Sequence, residues 1–506
     1  ERDFQTLLQS GEGRGESPAT CNAIFPPKNP RETFAMSENS HSQSETPTAA
    51  PQRHLTLFDS TSIIVGIIIG AGIYESTPLI AQNVPGVYGL LGAWLLGGFL
   101  SFVGALCYAE LATAYPRAGG DFVYLTRSFD RPIGFLFAWA QLWVVRPGSI
   151  GAMAFIFARY ADHLVPLRIG QADSNGLLVY AAGSVLVLSV INLLGVKQGK
   201  WTQNILTTAK VLGLLLVAVV GLFFSATSST PPPAASAEPS SPSFGLAMIF
   251  VLFAFGGWNE MAYVGAEVRD PKKNILRALT LGTVAVAAIY ILLTLAFLHA
   301  LGLEGVRNSE AVAAEVLDLG LGGWGDRLIS VLICISALGA INGQIFTGAR
   351  IYYAMGKEHP LFAVLGQWNA RLGTPVWSLV VQGAITLAVI LGFGWMGADE
   401  GFKRMVIFTT PVFWIFLVMV GQSLFVLRRH EPHTPRPYRV PLYPIPPILL
   451  CLSSLYMVFT SVDYALKPDY RSYEAFWSIG LLLAGMIMCF FDRRPASSEE
   501  SAGPSA

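Results

Sequence analysis

The chain has 506 residues, with 33 Lys and Arg balanced by 33 Asp and Glu, so its formal net charge is zero. Hydrophobic residues make up 53% and charged residues only 13%, and the mean hydropathy is +0.51. That balance excludes an ordinary soluble domain, and no basic block interleaved with aromatics points to nucleic acid.

Residues 1–54 are polar, rich in Ser, Thr, Pro and Glu, and carry no hydrophobic period, which predicts a disordered cytoplasmic tail. Met36 stands just before a short polar stretch and is the expected translation start, and the first apolar helix is the expected insertion signal. Twelve apolar segments follow, near 59–83, 88–114, 132–162, 177–195, 201–225, 244–267, 277–302, 325–353, 375–396, 403–427, 443–462 and 473–491. A hydrocarbon core of ~30 Å takes about 20 helical residues, so the expected class is an all-α polytopic membrane protein with 12 transmembrane helices. An even number of crossings leaves both termini on one side. With that side cytoplasmic, its loops hold 23 Lys and Arg against 7 in the opposite loops, the asymmetry of the positive-inside rule. The expected location is the cell membrane, in contact with the lipid bilayer. The Pro, Ala and Ser-rich stretch from Ser225 to Ser243 reads as a flexible connector. A C-terminal tail is expected from residue 492.

Two segments are interrupted by helix breakers: the first at Gly70-Ala71-Gly72, the sixth at Phe255-Gly256-Gly257-Trp258-Asn259. Freed backbone groups at membrane depth are tolerated only where protein, water or ligand satisfies them. Two breaks separated by four unbroken segments fit a five-plus-five inverted repeat, which would bring both breaks to mid-membrane. Residues 55–428 would then form a ten-helix transport core and 429–491 two additional helices. A half-helix beginning after a break offers amides to a carboxylate, and one ending at a break offers carbonyls to an ammonium. That pair of ends suits an α-amino acid, with its carboxylate at Gly70, Ala71 and Gly72 and its ammonium facing carbonyls near Ile68 and Phe253. The competing reading is close helix packing, because Gly66 and Gly70 form a GxxxG pair.

Intramembrane charges call for a role. Lys210, deep in the fifth segment, is expected to bond to carbonyls at the first break and hydroxyls on the eighth segment; snorkelling to the cytoplasmic side is the alternative. Glu75 and Glu260, each a few residues past a break, either bind a cationic substrate or a proton, or face a hydrated vestibule. Arg146, ahead of Pro147 and Gly148, is expected to make a structural contact to carbonyls. Trp258 stands out by position alone.

Competing classes find little support. Gly195 to Trp201 resembles a phosphate loop, but has one residue too few between its glycines and ends in Trp. There is no HExxH, CxxC or paired histidine motif, so no metal, cofactor or enzymatic activity is expected. Four of the five cysteines, Cys107, Cys334, Cys451 and Cys489, lie in apolar runs and Cys21 in the tail, which is not a disulfide framework. A channel would supply its symmetry by oligomerisation rather than within one chain. A channel or receptor is therefore the remote alternative.

At these residues the chain resembles the amino acid-polyamine-organocation superfamily, in particular its L-type amino acid transporter branch. Gly66-Ile-Ile-Ile-Gly70-Ala71-Gly72-Ile73-Tyr74 is similar to that branch's first-helix signature. Further likenesses are Gly104 to Leu111, Gly119 to Leu125, Val145-Arg146-Pro147-Gly148-Ser149, Phe253 to Asn259, Ser309 to Ala313, Ile341 to Arg350 and Thr374-Pro375-Val376. They run in order from about residue 57 to 440. The resemblance implies the leucine-transporter fold and sodium-independent amino-acid transport, often as exchange, by alternating access. It places the carboxylate on Gly70, Ala71 and Gly72, and the ammonium on carbonyls of Ile68, Phe253 and Gly256. Gly257, Trp258, Asn259 and Glu260 complete the expected substrate-binding stretch, with Phe253 as a gate and Lys210 where sodium-coupled relatives hold the ion. Glu75, Glu260 and Phe413 depart from the usual pattern, which makes Glu75 and Phe413 selectivity candidates. It also leaves open proton-coupled uptake of amino acids or polyamines. The loop from Asp162 to Gly176 lacks the cysteine through which animal members join a glycoprotein, so no disulfide-linked partner is expected.

Overall fold

In the computed structural model of the chain, residues 50–70, 72–168, 174–224, 244–309, 311–395, 397, 400–466 and 473–492 are described. Most of the N-terminal tail, the connector from Ser225 to Ser243, Ala71, Glu310 and the C-terminal tail beyond residue 492 lie outside them. Among the described residues ten helical stretches are long and apolar enough to cross a membrane, and Leu57–Ile68 and Phe476–Phe491 are shorter apolar stretches. Among the described residues there is no sheet, only two isolated bridges, and Cys107, Cys334, Cys451 and Cys489 are unpaired thiols.

Thr56 starts the first helix, α1 (Leu57–Ile68), with a capping box: Asp59 N–H donates to the Thr56 hydroxyl and Thr56 N–H to the Asp59 carboxylate. The same carboxylate accepts from Lys200 Nζ at 3.1 Å and Asn204 Nδ2 at 2.7 Å, which ties this end to the fifth segment. α1 stops at Ile69, where ψ turns to 79°, and α2 (Gly72–Gln82) resumes after the break. α3 (Gly86–Ala114) follows, then α4 (Asp121–Ala140), a π-turn (Gln141–Val145) and α5 (Arg146–Leu164). The sequence reading treats 115–131 as a loop, but helix already begins at Asp121. Asp130 at φ 71° redirects the chain just before Pro132, so residues 121–128 form a separate turn of helix too short to register as a span. The π-turn has a local cause as well, since Pro147 has no N–H to continue the helical ladder.

α6 (Ser174–Leu193) and α7 (Val196–Phe223) complete the first half. α8 (Phe244–Ala254) breaks at Gly257, whose φ of 111° is left-handed, and continues as a 3-10 helix (Trp258–Glu267) instead of an α-helix. α9 (Pro271–Asn308) is followed by α10 (Val312–Leu321), a short helix between the expected seventh and eighth segments. The remainder is α11 (Gly325–Glu358), α12 (Val376–Trp395), α13 (Gly401–His430), α14 (Ile445–Leu466) and α15 (Tyr473–Phe491). The broken elements are central: α1 packs on α7, α9 and α11, and α2 on α8 and α9.

Buried charges link elements that are distant in sequence. Glu110 at the end of α3 accepts from Arg428 Nε at 2.8 Å and from the Val440 amide at 2.7 Å, which holds the α13–α14 connection against α3. Glu431 in that connection is partly buried, which alone would raise its carboxyl. Hydrogen bonds from Thr434, Tyr115 and Arg127 outweigh this and keep it below the ordinary glutamate range. Deeper in, Arg350 of α11 and Glu267 form a two-pronged pair at 2.7 and 3.0 Å, each side chain only 1% exposed.

Removing one partner of such a pair strands a charge and costs about 3–5 kcal/mol, whereas replacing both by apolar groups is nearly neutral. Arg350→Met alone should therefore markedly lower the detergent-solubilised melting temperature, and the double change with Glu267→Met should recover most of that loss. Equal melting temperatures for the single variant and the parent would show that the pair does not hold α11 to the 3-10 helix.

Candidate functional site

The two breaks face each other at close range. A Cβ built on Gly72 would lie 3.3 Å from Ala254, the last residue of α8, and one on Gly257 would lie 2.7 Å from Ile67 Cγ2. Gly257 leaves no room for a side chain, and at Gly72 one would be tight. At the start of α2 the amides of Gly72, Ile73 and Tyr74 have no backbone acceptor among the described residues, and the same is true of Gly257, Trp258 and Asn259 at the second break. The carbonyls before the breaks have mixed fates. Phe253 O accepts from Gly256 N–H at 3.0 Å, and Gly256 O has no donor among the described residues. Ile68 and Ala254 O share the Tyr290 hydroxyl at 3.2 and 3.0 Å. A carbonyl oxygen has two lone pairs, so each singly engaged one can still accept another donor.

Lys210 does not snorkel. It is fully buried, and Nζ donates to Gly66 O at 2.8 Å, Ile69 O at 2.8 Å and Ser336 O at 2.9 Å. The expected contact to an eighth-segment hydroxyl is replaced by the Ser336 carbonyl. The Ser336 hydroxyl points instead to Ile69 and Gly70 O, at 2.9 and 3.1 Å. The three donors of one ammonium thus meet three acceptors, two of them released where α1 ends.

A cavity of about 290 Å³ opens between the breaks, α5, α11 and α13. Ile68, Gly70, Gly72, Phe253, Gly256 and Gly257 line it, and so do Asn259, Glu260 and Phe413. Part of the wall is apolar: Phe253 stands edge to face with Phe402 at 6.3 Å, and Phe413 with Trp414 at 5.2 Å. Another part carries charge. Arg146 Nη1 lies 2.8 Å from Glu260 Oε2, and the Thr347 hydroxyl donates to that same oxygen at 2.6 Å. Arg146 Nε also donates to Gln141 Oε1 at 3.2 Å, a pairing five residues apart that the π-turn brings onto one face. Behind this pair, Tyr263 donates to Asp121 at 2.7 Å and Tyr108 donates to the same oxygen at 3.0 Å. The Arg146 guanidinium sits 5.0 Å over the Tyr263 ring.

Several expectations change. Arg146 meets a carboxylate and neutral side chains in place of carbonyls. Glu260 is neither a free anion nor exposed to a wide vestibule, since it is 7% exposed and paired. Trp258 does not line the main cavity; its ring packs against Gly104 and stands edge to face with Tyr108 at 5.1 Å. Close packing does explain Gly66, whose absent side chain makes room for Gln203 and Thr207 of α7. It does not explain Gly70, which faces the cavity with only Met153 Sδ nearby, at 3.3 Å. Ala71 and the Glu75 side chain lie outside the described residues. The sequence gives Tyr290 no signal, Ser336 only that of a hydroxyl on the segment expected to approach Lys210, and Gln344 and Thr347 only their place in the Ile341 to Arg350 stretch, without a role.

The amino acid permease family profile matches residues 55–490. The human b(0,+)-type amino acid transporter 1 is 30% identical over 460 residues, covering 90% of each chain. The serine/threonine exchanger SteT of Bacillus subtilis is 31% identical over 413 residues, 80% of this chain and 90% of its own. The human large neutral amino acids transporter small subunit 2 is 29% identical over 420 residues, 81% of this chain and 76% of its own. With a match that spans both broken helices and nearly all of the apolar sequence, the chain belongs to the amino acid permease family of multi-pass membrane transporters, which are not enzymes.

Proposed function

We propose that this chain is a sodium-independent amino-acid exchanger of the cell membrane, with both termini cytoplasmic and a leucine-transporter arrangement of five-plus-five inverted helices. Its substrate lies in the cavity between the breaks. The observation that carries this reading is the confrontation of two interrupted helices across a space of amino-acid size. The open amides at the start of α2 suit the carboxylate, and the carbonyls of Ile68, Phe253 and Gly256 suit the ammonium. Alternating access follows from rocking of the broken elements against the rest, with Phe253 closing over the substrate. Sodium independence follows from Lys210, because a fixed ammonium already neutralises the carbonyls that would otherwise attract a metal ion. One relative's name supports exchange: SteT is a serine/threonine exchanger. A disulfide-linked partner is not required, since residues 162–176 contain no cysteine.

Two experiments test the reading. Purified protein in liposomes should take up labelled amino acid only when the vesicles are preloaded with unlabelled amino acid, and equally with sodium or choline outside. Uptake into empty vesicles driven by an imposed pH gradient would replace exchange by proton coupling. Lys210→Met should reduce exchange about tenfold or more, since each lost bond from a charged donor is worth about 1.5–3 kcal/mol. Exchange at the parent rate in that variant would remove Lys210 from the mechanism.

A further inference from the structure

The charged part of the cavity wall contains one group whose needs the fold does not meet. Gln344 of α11 lines the cavity one turn beyond Ala340 and is 9% exposed, yet its Oε1 is buried with no hydrogen-bond partner. The neighbouring donors point elsewhere. The Thr347 hydroxyl goes to Glu260 and the Gly343 carbonyl, and Arg146 goes to Glu260, Gln141 and Thr347. The Asn259 amide goes to the Tyr263 hydroxyl. No donor of the fold is left for Oε1, which is turned away from the cavity; a turn about the last side-chain bond exchanges oxygen and nitrogen and presents the oxygen to a solute in the cavity that Gln344 lines.

We propose that Gln344, set beside the Arg146–Glu260 pair, selects neutral amino acids whose side chain ends in a hydroxyl or a carboxamide. The inference rests on the reading of this cavity as the amino-acid site. Charge balance supplies the first half of the argument. A cationic side chain would find the Glu260 carboxylate already held by Arg146 and Thr347, and an anionic one would find Arg146 already held by Glu260. Hydrogen bonding supplies the second half. A buried polar group left without a partner costs about 1–3 kcal/mol, and a site built to bond a substrate hydroxyl or amide rejects the analogue that lacks it. An apolar side chain would displace any water that serves Gln344 in the empty cavity and give nothing back. A carboxamide both donates and accepts, so it complements a hydroxyl or another carboxamide whichever way its own oxygen and nitrogen are turned.

The test uses near-isosteric pairs on the full-length protein in preloaded liposomes: labelled threonine against valine, and asparagine against leucine. The polar member of at least one pair should be exchanged with a kcat/KM about tenfold or more above its apolar partner. In Gln344→Met that ratio should fall towards one. Equal or inverted ratios in both pairs for the parent protein would overturn the inference without any variant having to fold. A ratio unchanged in Gln344→Met would overturn the assignment to Gln344. Vesicles that exchange other amino acids but none of these four would overturn the inference alone, whereas vesicles that exchange no amino acid at all would remove the carrier reading as well.

Discussion

The arrangement depends on one constraint: backbone groups released by breaking a helix inside hydrocarbon have to be given partners. α1 could not stop at Ile69 unless its last carbonyls were bonded from the side, and Lys210, Ser336 and Tyr290 do this from three different helices. The break is therefore a tertiary feature. Glycine permits it locally, but an ammonium and two hydroxyls make it stable. Those three residues serve carbonyls, while the amides of Gly72, Ile73 and Tyr74 have no backbone acceptor among the described residues, a polarity that suits the carboxylate proposed to lie there.

Charge is handled in the same way deeper in the bundle. Arg146 with Glu260, and Arg350 with Glu267, are complete pairs, the first supported by the Thr347 hydroxyl donating to Glu260 and the second by Arg350 donating to the Phe346 carbonyl. Removing one member of either pair would strand the other's charge, at a cost of about 3–5 kcal/mol. The Arg146–Glu260 pair thus lets polar chemistry stand beside the cavity with its two charges already matched. The two pairs also connect α5 and α11 to the 3-10 helix after the second break, the element whose irregular geometry most needs lateral support.

What could be read from the sequence was whatever has a local cause. Glycine clusters announced both breaks, since left-handed or sterically tight backbone has few other solutions. Lys210 announced itself as a charge in an apolar run. Partners separated by long stretches of chain were not legible. Tyr290 reaches Ile68 across 222 positions, and a tyrosine in a hydrophobic helix has no feature that says which carbonyl it will serve. Arg146 was legible as unusual, but not its acceptor, because the π-turn that aims it follows from Pro147 in a way that helical periodicity hides. The half-helix after Gly257 carries no local sign of how it winds. It winds as 3-10 within a stretch that Arg350 and Arg146 grip from the side, a tertiary influence that no window of sequence contains.

One small feature has mechanical meaning. Leu55 N–H donates to Glu267 O at 2.8 Å and Arg269 N–H to Leu55 O at 2.9 Å, a single parallel bridge that clasps the entrance of α1 to the exit of the 3-10 helix. The two interrupted elements are thus fastened at one end by backbone and meet again at their breaks, like the arms of a pair of tweezers. α1 has 12 residues, so about 18 Å of stiff helix lies between the clasp and the cavity. A lever of that length turns a small twist at residue 55 into a displacement at Gly70 comparable to the bonds that hold it.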